Sequence, residues 1–84
     1  MGERARIIVV DDDEGVRKVL KAILEQEGYI VDTAENGKEA IKKSNATFYN
    51  LGLIDIRLSD MKGTKLLTAI NEITPKMVKI IITG

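Results

Sequence analysis

The chain of 84 residues contains no cysteine, no histidine and no tryptophan. Without cysteine there are no disulfides, no thiolate metal sites and no thiol nucleophile. Without histidine the commonest general base and the commonest transition-metal ligand are gone as well. Any chemistry must rest on carboxylates, hydroxyls, amines or backbone groups. There is a single proline, and the aromatics are limited to Tyr29, Phe48 and Tyr49, so the core is expected to be aliphatic. Charge of either sign is not in excess: 13 basic and 13 acidic residues cancel, which argues against a broad nucleic-acid surface or a polybasic membrane surface. Long hydrophobic runs are also missing. Ile7–Val10 and Ile80–Ile82 fall far short of the roughly 20 apolar residues of a membrane span. The opening Met1-Gly2-Glu3-Arg4-Ala5-Arg6 leads into no signal-peptide core, so a cytoplasmic location is expected. The length excludes two domains.

What is present is a regular alternation. Arg6-Ile7-Ile8-Val9-Val10 is an unbroken β-branched run, the pattern of a strand covered on both faces. Val16, Val19, Leu20, Ile23 and Leu24 recur at the spacing of one helix face. Asp13 suits the cap of that helix, Glu14 its first turn and Gly28 its end. Tyr29 to Ala34 reads as a second strand. Asn36-Gly37 reads as a turn, followed by a short helix from Lys38 to Ser44 with Ala40 and Ile41 inward. Leu51 to Ile56 is a third strand, Arg57 to Gly63 a loop, and Thr64 to Ile73 a helix stopped by Pro75 with Leu66, Leu67 and Ile70 inward. Lys79 to Thr83 is a fourth strand. The order βαβαβαβ predicts an α/β fold with a doubly wound parallel sheet.

Acidic and hydroxyl residues gather at equivalent places in this pattern. Asp11 and Asp12 end the first strand, Asp55 the third and Thr83 the fourth. In open parallel sheets, ligands bind outside the carboxyl ends of the strands. If the first and third strands are neighbours, three carboxylates meet in a small space, where like charges oppose one another's ionisation. A hard divalent cation relieves that, and an all-oxygen donor set favours Mg²⁺ or Mn²⁺. A carboxylate in such a site can act as a nucleophile toward phosphorus. An isolated acidic triplet is most often a helix cap, and a threonine at a strand end is most often a β-favouring residue. Asp55 shifts the balance, because an Asp within Leu-Ile-Asp-Ile is costly to bury without a partner. Lys42, Lys43 and Lys62 read as solvated, and Met61 as packing.

These residues together resemble the receiver domain of two-component response regulators. The resemblance rests on Ile7 to Glu14, Ala34 to Ala40, Leu53 to Gly63 and Ile80 to Gly84, in order and across essentially the whole chain. It implies a flavodoxin-like sheet of order 2-1-3-4 and a single receiver domain over 1–84. It implies Asp55 as phosphoacceptor, Asp12 as a direct Mg²⁺ ligand, Asp11 as a carboxylate holding the metal through water, and the Arg57 backbone carbonyl as a further ligand. Thr83 matches the family's switch hydroxyl. The implied partner is a sensor histidine kinase, and the implied activity is acceptance of a phosphoryl group rather than enzymatic turnover.

Two departures stand out. Ser59 occupies the loop position where the family usually has proline. The family's fifth βα unit, whose strand carries a lysine that pairs with the phosphoryl group, has no counterpart here, so the chain reads as a receiver truncated after the fourth strand. Competing readings are an inactive folding or assembly fragment and a haloacid-dehalogenase-type phosphohydrolase built on Asp11-Asp12-Asp13. The bare fourth-strand edge and sheet face predict a homodimer or larger oligomer, with either Ile80 and Ile82 or Ile81 in the contact and with aliphatic residues of the first, third and fourth strands facing water.

Overall fold

In a computed structural model, which describes residues 4–82, seven elements alternate along the chain. They are β1 (Arg6–Val10), α1 (Glu14–Gln26), β2 (Ile30–Ala34), α2 (Gly37–Ala46), β3 (Leu51–Asp55), α3 (Gly63–Ile73) and β4 (Val78–Ile82). The strands form one parallel sheet in the order β2-β1-β3-β4. This is the flavodoxin-like order expected from the sequence, with β1 and β3 adjacent at the centre.

The period of two along β1 divides the core into two layers. Ile8 and Val10 face one side, with Ile54, Tyr49 and Met77, under Ala40 of α2 and Leu66 and Ile70 of α3. Ile7 and Val9 face the other, with Val31, under Leu20 and Leu24 of α1. All four β1 residues are buried, which is why the segment reads as an unbroken apolar run. Each such side chain removed from water contributes roughly 1.5–3 kcal/mol.

Several expectations need correction. The core is not wholly aliphatic: Tyr49 is only 1% exposed, and its hydroxyl donates to Asp32 Oδ2 at 2.6 Å. Burial, reinforced by that carboxylate, pushes the phenol well above its ordinary value. The first strand does not face water, because α1 lies over it. The apolar face of α1 is only partly used. Leu20 and Leu24 pack, while Val16, Val19 and Ile23 remain on the surface, as do Val78 and Ile80 of β4. Lys43 is not merely solvated, since its ammonium donates to the Thr33 carbonyl on edge strand β2.

Asn36-Gly37 is a helix start rather than a free-standing turn. The Asn36 side chain accepts from Glu39 N at 2.8 Å, and α2 runs two residues past Ser44. At the end of α1, Gly28 takes a φ of +95°, the left-handed conformation that lets the chain turn into β2.

Candidate functional site

Because β1 and β3 are neighbours in register, with Val10 opposite Ile54, the residues that follow Val10 and Ile54 emerge side by side at the carboxyl end of the sheet. Asp11, Asp12 and Asp55 meet there, each offering a carboxylate oxygen within 4.8 Å of the other two. Asp11 is buried, Asp55 half-buried and Asp12 exposed.

Local hydrogen bonding fixes the cluster. Asp11 N donates to Ala34 O at 3.1 Å, which continues the β1–β2 ladder by one residue. Asp11 Oδ1 accepts from Asp13 N at 2.9 Å. Asp13 does not join the cluster, because its own carboxylate caps α1 by accepting from Val16 N at 3.1 Å. Arg17, one turn into α1, reaches back and donates from Nη1 to the Asp11 carbonyl at 2.7 Å. Asp55 Oδ1 accepts from Arg57 N at 3.1 Å, turning the chain sharply after β3.

The electrostatics are those of like charges crowded together. Desolvation pushes the Asp11 carboxyl above its ordinary value, and Asp55, Asp12 and Asp13 add to this. The backbone donor from Asp13 only partly opposes it. Among the described residues the ion pairs are Lys18–Glu14 and Lys43–Glu39, neither of them at the cluster. Three close carboxylates, all oxygen donors and none in an ion pair among the described residues, fit a small hard divalent ion. A shallow cleft runs over them, lined also by Asp13, Val16 and Arg57.

The loop after Asp55 is closely tied. Arg57 and Lys62 form an antiparallel bridge, and Gly63 N donates to Ile56 O at 2.9 Å. The start of α3 passes so near β3 that a Cβ on Gly63 would lie 2.7 Å from Ile56 Cα and 3.0 Å from Asp55 O. Only glycine fits there.

A family model for the response regulator receiver domain matches residues 7–84. The chain belongs to the response regulator receiver family. This receiver is 39% identical over 80 residues to the transcriptional regulatory protein GlrR of Escherichia coli (strain K12), an alignment covering 95% of this chain and 18% of that protein. It therefore spans less than a fifth of the length of that curated relative. Among solved structures it resembles a CheY-like receiver domain protein from Methanospirillum hungatei JF-1, with a TM-score of 0.96 and 44% identity over 98% of this chain and 66% of that one. It also resembles TrrA of Thermotoga maritima in complex with Mg(2+)-BeF, with a TM-score of 0.88 and 39% identity over 94% of this chain and 69% of that one. TrrA has also been solved in complex with the histidine kinase ThkA.

The structure thus brings together Asp11, Asp12 and Asp55 with Arg57 beside them. Thr83 lies outside the described residues; it follows Ile82, which pairs with Asp55 across β3 and β4. Sequence reasoning missed two supports of this end of the fold. Arg17 sits at a helical position like any solvated basic residue. Asp60 sits in a polar loop, and its partners are more than 20 residues away. Neither carries a local signal.

Proposed function

We propose that this receiver accepts a phosphoryl group on Asp55, with Mg²⁺ (or Mn²⁺) held by Asp12, Asp55 and the Arg57 carbonyl, and through water by Asp11. The observation that carries the reading is the convergence of three carboxylates at the carboxyl ends of β1 and β3, in the family and fold described. In the transfer, an Asp55 carboxylate oxygen attacks phosphorus and the new O–P bond forms. The P–N bond of a kinase phosphohistidine breaks, and its electron pair returns to the imidazole. A bound divalent ion would neutralise charge on the phosphoryl oxygens.

This chain's own residues prepare that step. The Arg57 N–H holds one Asp55 oxygen, leaving the other to react. Crowding by Asp11 and Asp12 keeps the site electrostatically unsatisfied until a cation enters. Thr83 serves as the switch hydroxyl that follows the phosphoryl group. Residues 1–84 act as one signalling domain in the cytoplasm, with a sensor histidine kinase as donor and no catalytic turnover; no helix among the described residues is long and apolar enough to cross a membrane. Val19 and Ile23 of α1 and Val78 and Ile80 of β4 are exposed, and a second copy of the chain pairs through them, since exposed apolar surface favours association.

The test is intact-protein mass spectrometry after incubation with acetyl phosphate, with Mg²⁺ or with chelator. One added phosphoryl group, dependent on Mg²⁺ and absent in Asp55→Asn, is expected. Labelling of Asp11 with Asp55 untouched would favour the phosphohydrolase reading. No labelling of the folded protein would leave the inactive-fragment reading standing.

A further inference from the structure

The loop from Ile56 to Lys62 would carry a metal ligand, the Arg57 carbonyl, and Ser59 supplies none of the φ restriction of a proline. Its anchor lies in a different part of the chain. The Asp60 carboxylate accepts from Gly37 N at 2.8 Å through one oxygen and from Lys38 N at 3.0 Å through the other. Those are the first two amides of α2, donors with no partner inside the helix, at its positive end. The two bonds hold the Asp60 carboxyl below its ordinary value. The next residue, Met61, packs directly on Gly37, where a Cβ would fall 2.5 Å from the methionine sulfur. Gly37 is buried by this contact. Asp60 therefore docks the loop onto α2 by polar and apolar contacts at adjacent residues, and the Arg57–Lys62 bridge relays the anchoring to the base of the loop.

We propose that Asp60 is a positioning residue for the metal site: its grip on the α2 N-terminus sets the Arg57 carbonyl and the Asp55 side chain in the arrangement that takes the divalent ion. The role rests on the metal reading above. The grip also links α2 to the state of the site. If the docked loop binds the ion better, the ion must in turn favour the docked loop, because coupling between two equilibria is reciprocal.

The test compares wild type, Asp60→Ala, Asp60→Asn and Asn36→Ala by Mg²⁺ titration and amide hydrogen exchange, both followed by NMR. Asn36→Ala is the control. It loosens the same helix end by removing the Asn36 cap on Glu39 N but leaves the loop anchor in place. Asp60→Ala should weaken Mg²⁺ binding roughly tenfold, the low end of the effect of removing groups that orient metal ligands. It should also speed exchange at Arg57 and Gly63. Asp60→Asn, which keeps one acceptor, should fall between Asp60→Ala and wild type. In wild type, Mg²⁺ should move the Gly37 and Lys38 amide resonances, and in Asp60→Ala it should not. Equal losses of affinity in Asp60→Ala and Asn36→Ala would reduce Asp60 to a helix cap and overturn the proposal. So would unchanged loop exchange and Mg²⁺ affinity in Asp60→Ala. If Mg²⁺ moves no resonance of Asp11, Asp12 or Asp55 in wild type, it is the metal reading itself that fails.

Discussion

Replacing Asp55 by asparagine should make the metal-free protein more stable. The substitution keeps the side-chain oxygen that accepts from Arg57 N, so the turn after β3 is preserved and only a charge is lost. Two repulsions vanish with it, toward Asp11 and toward Asp12. For unit charges at the 4.8 Å limit of the cluster, Coulomb's law gives about 0.9 kcal/mol per pair in bulk water and about 3.5 kcal/mol at an effective dielectric of about 20. Asp12 is exposed, which puts its pair near the lower figure, and buried Asp11 lies between the two. The expected gain is about 2–4 kcal/mol at pH 7 and low salt. Urea unfolding should show a higher midpoint at unchanged slope.

Added Mg²⁺ should narrow or reverse the difference. At ten times its dissociation constant a ligand adds about 1.4 kcal/mol to the state that binds it, and on the proposed metal site wild type should bind more tightly than the variant. The pH dependence has a definite sign. The folded-state pKa of Asp11 is raised above its ordinary value of 3.8, so the folded protein holds that proton more tightly than the unfolded chain. The stability this contributes is present below the ordinary value and is lost as pH rises through the raised one. The fall should be shallower in Asp55→Asn, because one of the raising charges is gone. A variant less stable than wild type in chelator, with the same response to Mg²⁺, would refute the crowded-carboxylate account.

Other consequences are open to direct measurement. Gly63→Ala should cost about 1–3 kcal/mol in urea unfolding, the range for forcing atoms into a filled space, and should shift the Asp55 and Arg57 resonances, since the intruding methyl would meet the backbone of Ile56 and Asp55. Tyr49→Phe keeps the buried ring but loses the bond to Asp32, and should lower stability by about 1.5 kcal/mol. The self-association proposed above should be abolished by Ile80→Lys in sedimentation velocity without loss of folding, because Ile80 is 47% exposed. Ile81 is a poorer site for this test, being packed against the core beneath α2 and α3.

The alternation of elements was legible from local periodicity, whereas the strand order, and with it the meeting of the three carboxylates, came from the resemblance to receiver domains. Four apolar runs in βα alternation admit few arrangements, and adjacency of the first and third strands brings Asp11, Asp12 and Asp55 to one edge. What could not be read depends on contacts made across the chain. Val16, Val19 and Ile23 share a helical stripe with Leu20 and Leu24, yet periodicity does not say how much of a stripe the rest of the fold covers. Tyr49 lies in the loop before β3, and its ring can be buried because its hydroxyl finds an acceptor in Asp32 of β2.

The start of α2 shows the same limit most sharply, and ties it to function. In isolation Asn36-Gly37 carries the local signal of a turn. It becomes a helix start because Asn36 caps Glu39 N from within, while Asp60 accepts from the two preceding amides from outside. Orphan donors at a helix end need acceptors, and this fold draws one from the loop that leaves the acidic cluster. The loop's own apolar contacts, Leu58 and Met61 against the core, hold only part of its shape, and on the proposal above that shape must present the Arg57 carbonyl. Borrowing the free amides of a neighbouring helix fixes that shape at the point where the chemistry is sensitive to it.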